Sequence, residues 1–99
     1  MFEGKHIVVN NVFAINKFIS GEFVLTDVRV DKDTNEIHYP TRAIYINEVK
    51  LIADLVNLSV KRAVYLGTIS SVSEMMKESH RIAELGQQVL NKLNNKPEQ

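Results

Sequence analysis

The period of the apolar residues changes near Asn47. Before this residue, apolar side chains tend to alternate, as they do from Val24 to Val30, and a period of two places side chains on one face of a strand. After it, they recur at intervals of three and four, which places them on one face of a helix. The change predicts an α+β fold. A small antiparallel sheet of three to four strands, bent or barrel-like, would precede a C-terminal helical hairpin.

Length and composition indicate one domain over residues 1–95, with 1–47 as its β half and 48–94 as two helices. The chain has 99 residues, of which 44% are hydrophobic, a fraction typical of a globular domain rather than a disordered one. It has no cysteine, so disulfides, thiolate metal sites and a cysteine nucleophile are excluded. Residues 95–99 are expected to form a flexible tail.

Charge and hydropathy limit the cellular locations and the classes of binding partner that the sequence favours. Charged residues interrupt the first ten positions, which lack the apolar run of a signal peptide. No uncharged stretch approaches the ~20 residues that cross a bilayer. We therefore expect a cytoplasmic protein with no membrane partner. Twelve basic and twelve acidic residues cancel, so general affinity for nucleic acids is not favoured.

Alternation and chain breakers locate the strands. They predict strands over residues 2–9, 22–30 and 37–47, the last two joined as a hairpin by the polar turn 31–36. Pro40 cannot donate to a ladder, so it indicates an edge strand or a bulge. Residues 12–19 fit either one face of a helix or an irregular strand, and the sequence leaves both open.

Two helices are predicted, over residues 48–66 and 72–94. Asn47 is a suitable N-cap for the first, and Gly67 can take the left-handed conformation that ends it. Ser71 and Glu74 have the spacing of a capping box at the start of the second. The rival interpretation makes 60–66 a strand, because it is rich in β-branched and aromatic residues. We expect the first helix to bury a wide stripe of Val49, Ile52, Ala53, Val56, Val60, Ala63 and Val64, which Leu51, Leu55, Leu58 and Leu66 widen. Such a helix should be covered by the sheet on one side and by another helix on the other.

An apolar seam follows the second helix at a regular spacing of three and four residues. The seam consists of Val72, Met75, Ser79, Ile82, Gly86, Val89 and Leu93, and Ala83 widens it. Gly86 costs ~1 kcal/mol in a helix interior relative to alanine, so it indicates a close contact with another helix. The partner is either the first helix of the same chain or a helix of a second chain. One short sheet can hardly cover two wide apolar helices, so we expect a homo-oligomer, most simply a dimer.

No pattern in the sequence supplies a catalytic, metal or cofactor site. His6, His38 and His80 have no histidine three or four residues away. The turn that begins at Asp31 starts like a calcium loop, but Glu36 stands where that loop requires glycine. The four glycines are isolated, so no phosphate-binding loop is present. We therefore expect no cofactor and no enzymatic activity, unless folding brings separate titratable groups together.

The segments 23–30, 34–36 and 43–47 resemble an uncharacterised bacterial family of small Sm-like β-barrel domains. The shared pattern is a phenylalanine, then leucine-threonine-aspartate-valine, a turn, and an apolar strand that ends in asparagine. The resemblance covers about the first half of the chain. It implies a strongly bent antiparallel sheet and a ring-like or dimeric assembly, and it supplies no site residues.

These observations predict a non-enzymatic oligomeric module for protein interaction or regulation. Copies would associate through the C-terminal helices, and the sheet or its loops would contact another protein. The alternative is an RNA- or DNA-binding regulator that uses a small β-barrel face, where basic and aromatic side chains hold the nucleic acid. The candidate contacts for a ligand or nucleic acid are Arg29, Arg42, Tyr45, Lys61 and Arg62.

Overall fold

The computed structural model describes Phe2 and residues 4–94, and it confirms the predicted α+β fold. The strands are β1 (Ile7–Val9), β2 (Phe13–Lys17), β3 (Phe23–Asp27), β4 (Arg29–Val30), β5 (Ile37–His38) and β6 (Thr41–Tyr45). The helices are α1 (Glu48–Leu66) and α2 (Val72–Asn94). The predicted flexible tail, 95–99, lies outside the described residues.

The strands form two antiparallel sheets. Four of them make a sheet in the order β1-β2-β3-β6, and β4 pairs with β5 in a separate ribbon. Residues 12–19, which the sequence left between helix and strand, contain β2. The strand predicted over 2–9 is reduced to β1, with a separate bridge between Phe2 and Phe18.

The prediction of one continuous strand over 22–30 is wrong. The chain leaves the main sheet at Val28, whose backbone N–H donates to the Val12 carbonyl at 3.0 Å. On the facing strand Pro40 has no N–H to offer, and its carbonyl accepts instead from Asp27 at 2.9 Å. The ladder therefore breaks on both strands near the same point, and Pro40 separates β5 from β6 as the interruption of the pattern predicted.

One face of the main sheet packs against both helices. The residues that meet there are Val9, Phe13, Ile15, Phe23, Leu25, Leu51, Leu55, Ile82, Val89 and Leu90. On α1 the buried positions are Leu51, Leu55, Ser59 and Ala63. The buried row is narrower than the predicted stripe: Leu51, Leu55 and Ala63 are buried, whereas Val49 and Val64 are 76% and 54% exposed. The sheet and α2 pack against α1 from directions that bury this row, whose members are four residues apart.

The helix ends follow the local signals closely. The Asn47 side chain accepts from the N–H of Val49 at 2.7 Å, and Gly67 has a φ of 78° at the end of α1. Ser71 Oγ accepts from the N–H of Glu74 at 3.1 Å, as a capping box requires. In the standard capping box the glutamate side chain accepts from the N–H of the N-cap residue, here Ser71. In this chain Glu74 accepts instead from the N–H of the preceding residue, Ser70. That bond lowers the pKa of Glu74.

The opposite face of the sheet is also partly enclosed. Asn16 is fully buried there, and its side-chain amide donates to the Gly4 carbonyl at 2.9 Å. The Phe2 ring stacks on Phe18 with centroids 4.9 Å apart, and His6 stacks on Tyr39 at 4.3 Å. The N-terminal segment therefore covers part of this face, while Val8 and Ile44 on its outer strands stay 44% and 54% exposed.

The half-buried imidazole of His6 predicts a stability change near neutral pH. Burial lowers the pKa of His6, and its Nδ1 has no hydrogen-bond partner among the described residues. The unfolded chain therefore takes up this proton first, so the stabilisation is complete above pH ~6.5 and is lost as the pH falls through the lowered pKa. We expect the Tm to be lower at pH 5.5 than at pH 7.5, and the difference to be smaller in His6→Phe. The exposed His38→Gln variant should keep the wild-type difference, and a full drop in His6→Phe would contradict the assignment.

Candidate functional site

Three of the five candidate contact residues line one surface groove. This arginine groove, about 480 Å³ in volume, is bordered by Arg29, Arg42 and Arg62 and by the carboxylate of Asp27. Its remaining lining is Val12, Phe13, Val28, Val30 and Leu58. Arg29 follows the break after β3, Arg42 belongs to β6 and Arg62 to α1, so only the tertiary fold brings the three together.

Asp27 fixes the position of one of these arginines. Its Oδ1 accepts from Arg42 Nε at 2.6 Å, and its Oδ2 lies 3.8 Å from Arg29 Nη2. The Arg42 guanidinium also lies over the Phe13 ring, 5.6 Å from its centroid, a cation–π geometry. Arg42 is therefore held by a carboxylate and a ring, whereas the Arg29 side chain is 70% exposed.

A second groove adjoins the first at Arg62. This adjoining cleft, about 350 Å³, is lined by Asn10, Ser59, Arg62, Ala63, Leu66, Thr68, Ile69, Glu78 and Arg81. Arg81 donates through Nε and Nη2 to the two oxygens of Glu78, at 2.9 and 2.6 Å, and Nη2 also reaches Asn10. These bonds lower the pKa of Glu78. Arg81 therefore links α2 to the turn between β1 and β2. Arg62 supplies the second guanidinium group of the cleft.

Ser59 is the one polar residue of α1 that is buried. It is 3% exposed and lines the adjoining cleft, and its hydroxyl has no hydrogen-bond partner within the described part of the chain. Buried hydroxyls are usually paired, because an unpaired one loses its hydration without compensation. Ser59 was not among the residues predicted from the sequence, and its place among apolar residues at intervals of four was the available signal.

The other two candidate contacts lie elsewhere. The Tyr45 hydroxyl donates to Asp54 Oδ2 at 2.6 Å, across from the start of α1. Burial, that bond and the negative charge of Asp54 raise the pKa of Tyr45 to about 12. Lys61 is exposed on α1 and lines neither the arginine groove nor the adjoining cleft. The structure therefore separates Tyr45 and Lys61 from the three arginines.

The predicted seam on α2 divides into a buried and an exposed half. Ile82, Gly86 and Val89 are buried within the chain, with Ala83 and Leu93 half-buried beside them. Ser79 is half-buried and donates to the Met75 carbonyl at 2.9 Å. Val72 and Met75 are 68% and 38% exposed. The C-terminal half of the seam thus packs against α1 of the same chain, and the N-terminal half faces solvent.

Six exposed apolar residues lie at the end of α1 and the start of α2, on either side of the connection between the helices. We call this set the hairpin end, and it consists of Val64, Tyr65, Leu66, Val72, Met75 and Met76. Tyr65 is 89% exposed and Met76 66%. None of the six belongs to the core that joins the helices to the sheet.

The described residues supply no obvious metal centre and no transmembrane helix. No three histidine or acidic side chains among them converge as metal ligands. None of the described helices combines the length and the apolar character needed to span a membrane.

The described fold and surfaces define a small α+β domain with an arginine groove and an apolar hairpin end. The chain belongs to the family described as Domain of unknown function (DUF5405), whose model matches residues 3–94. It is also similar to the "Uncharacterized 11.3 kDa protein in GpA 5'region" of Escherichia phage P2. The two are 39% identical over 90 residues, which cover 91% of this chain and 90% of that protein.

No solved structure matches the chain. The family is uncharacterised, as the sequence resemblance indicated, but the comparisons show no Sm-like family.

Proposed function

We propose that this protein is a non-enzymatic, self-associating interaction module whose copies pair through the hairpin end. The observation that carries the proposal is the exposure of six large apolar side chains at adjoining ends of the two helices. Soluble monomers rarely expose contiguous apolar patches of more than a few hundred Å². Covering such a patch stabilises an assembly by about 25 cal/mol per Å² of apolar surface removed from water.

The seam on α2 favours a second copy as the occupant. Its spacing continues without interruption from Ile82, which is buried against the chain's own core, to Met75 and Val72, which are exposed. A stripe with helix-packing geometry therefore extends beyond the part that its own chain covers. A two-fold axis at the hairpin end would place the same stripe of each copy on the other, as isologous dimers do.

The expected dimer can be detected by its mass. Light scattering at about 100 µM should give twice the monomer mass of 11.3 kDa if the dissociation constant is micromolar. The double variant Tyr65→Glu, Met76→Glu should give the monomer mass, because it places like charges in a formerly apolar contact. Both positions are exposed, so its free energy of unfolding at low concentration should change by less than about 0.5 kcal/mol per site.

A matched control uses an exposed apolar residue away from the hairpin end. Ile46 is 83% exposed and follows β6, so Ile46→Glu should leave the dimer mass unchanged. A monomeric wild-type protein at this concentration would refute the proposal. Dissociation by Ile46→Glu alone would refute the hairpin end as the interface.

Contact with another protein through the sheet or its loops, and a cytoplasmic location, stay predictions. Nucleic-acid binding is the second candidate function. The observation in its favour is the convergence of Arg29, Arg42 and Arg62 on one groove.

A further inference from the structure

We propose that the arginine groove and the adjoining cleft form a binding site for a phosphate group attached to a flat apolar body, the chemistry of a nucleotide. The nucleotide could be free or part of a single-stranded nucleic acid, and these two sources share the same recognition. The proposal does not depend on self-association, since the arginine groove shares no lining residue with the hairpin end and the adjoining cleft shares only Leu66 with it.

The charge of the groove favours an anion. Three guanidinium groups line it against the single carboxylate of Asp27, so the lining carries an excess of positive charge although the whole chain is neutral. Among the described residues, Arg62 has no carboxylate within 4.0 Å. Guanidinium groups offer planar sets of N–H donors that match phosphate oxygens.

The site is partly organised before a ligand binds. Arg42 uses Nε for Asp27 and lies over the Phe13 ring, which leaves its terminal amino groups as donors. A long side chain held in this way loses less conformational entropy on binding. The Arg42 side chain is still 44% exposed, so a ligand can reach it.

An unpaired hydroxyl adds a second, independent observation. Ser59 is 97% buried (3% exposed) and has no partner within the described residues, and it lines the cleft that shares Arg62 with the groove. A hydroxyl can donate to a phosphate oxygen, and such a bond would compensate the cost of burying it unpaired. Arg62 and Ser59 therefore offer neighbouring donors on the same helix.

Apolar side chains of the groove indicate what accompanies the phosphate. Val12, Val28 and Leu58 lie among the arginines in its lining and are half-buried. Such side chains beside a few charged groups can pack against a weakly hydrated ring such as a nucleobase. An acidic peptide would satisfy the guanidinium groups without covering these side chains, so the combination favours a nucleotide over a peptide carboxylate.

Binding can be measured with defined probes. A fluorescein-labelled oligothymidylate of about 12 nucleotides serves for anisotropy, and thymidine monophosphate and inorganic phosphate serve as unlabelled competitors. We expect saturable binding that the double variant Arg29→Gln, Arg62→Gln weakens at least about tenfold. Lys61→Gln removes the same charge from the residue next to Arg62, outside both grooves, and should change affinity less than about twofold.

The competitors distinguish the two sources. Full displacement by thymidine monophosphate at a constant salt concentration would assign a free nucleotide. Binding of the oligonucleotide alone, weakening steeply between about 50 and 200 mM salt, would assign a nucleic-acid backbone. Failure of the oligonucleotide and of both competitors to bind, an equal loss in Lys61→Gln, or equal displacement by a hexaglutamate peptide would overturn the proposal.

Ser59→Ala tests the cleft separately. It should weaken binding severalfold and leave the folded chain as stable as the wild type or more so, because it removes an unpaired buried hydroxyl. A large loss of stability with unchanged binding would show a structural role for the hydroxyl and exclude Ser59 from the site. Dimer mass, measured in parallel, should be unaffected in every groove variant.

Discussion

Replacing Gly86 with leucine should destabilise the folded chain by about 3 kcal/mol, the upper end of the usual cost of forcing extra carbons into a packed interior. A β-carbon at this position would lie 2.5 Å from Ile52 Cδ1 and 2.9 Å from Leu55 Cδ2. Leu55 is fully buried and cannot turn away into solvent. Thermal unfolding should show a Tm at least about 12 °C lower than that of the wild type.

A double-mutant cycle separates this contact from the helix propensity of glycine. Gly86→Ala gains about 1 kcal/mol of propensity, which the clash with Ile52 opposes. Ile52→Val removes the clashing Cδ1 atom, so Gly86→Ala should be more favourable in the Ile52→Val background than alone. Additive free energies of unfolding would show that the two residues do not meet, and a stabilised Gly86→Leu protein would contradict the packing of α1 on α2.

The two halves of the seam should respond very differently to truncation. Ile82→Ala should cost about 2–5 kcal/mol, because Ile82 is fully buried against the sheet and a cavity would remain. Val72→Ala, at a position 68% exposed, should change the free energy of unfolding of the monomer by less than about 0.5 kcal/mol. Urea unfolding at a low protein concentration measures both.

The same two variants distinguish an effect on folding stability from an effect on self-association. At high protein concentration Val72→Ala should weaken the dimer, since it trims the hairpin end, whereas its low-concentration stability stays near the wild-type value. Equal losses in the two variants at low concentration would mean that the whole seam is covered within one chain. In that case the exposed stripe on which the proposed dimer rests would not exist.

The sequence was sufficient to predict the two helices and their ends. The prediction of α1 and α2 at 48–66 and 72–94 matches the helices of the structure. Their ends depend on signals within a few residues: the Asn47 side chain accepts from the N–H of Val49, and Gly67 supplies the positive φ. Such signals act over one turn of helix, so they can be read before the tertiary fold is known.

The strand boundaries were harder to predict from the sequence, because they depend on pairing partners that are distant in the sequence. The alternation from Val24 to Val30 is compatible with one strand, yet the chain changes sheets at Val28, where Val12 provides the acceptor. The buried face of α1 is narrower than predicted for the same reason. A helix with apolar residues around most of its surface can bury any of several stripes, and the neighbouring sheet and helix select one.

By itself, the sequence determined the fold class, the two helices with their ends, and the regular seam on α2, because periodicity and capping are properties of neighbouring residues. Only the tertiary structure decided that Ile82 and Gly86 pack within the chain while Val72 stays exposed. It also decided that Arg29, Arg42 and Arg62 share one groove. The physical reason is that the local sequence pattern determines which side chains share a face of a helix or strand. Whether that face is buried, and which charges come together, depends on the distant segment that packs against it.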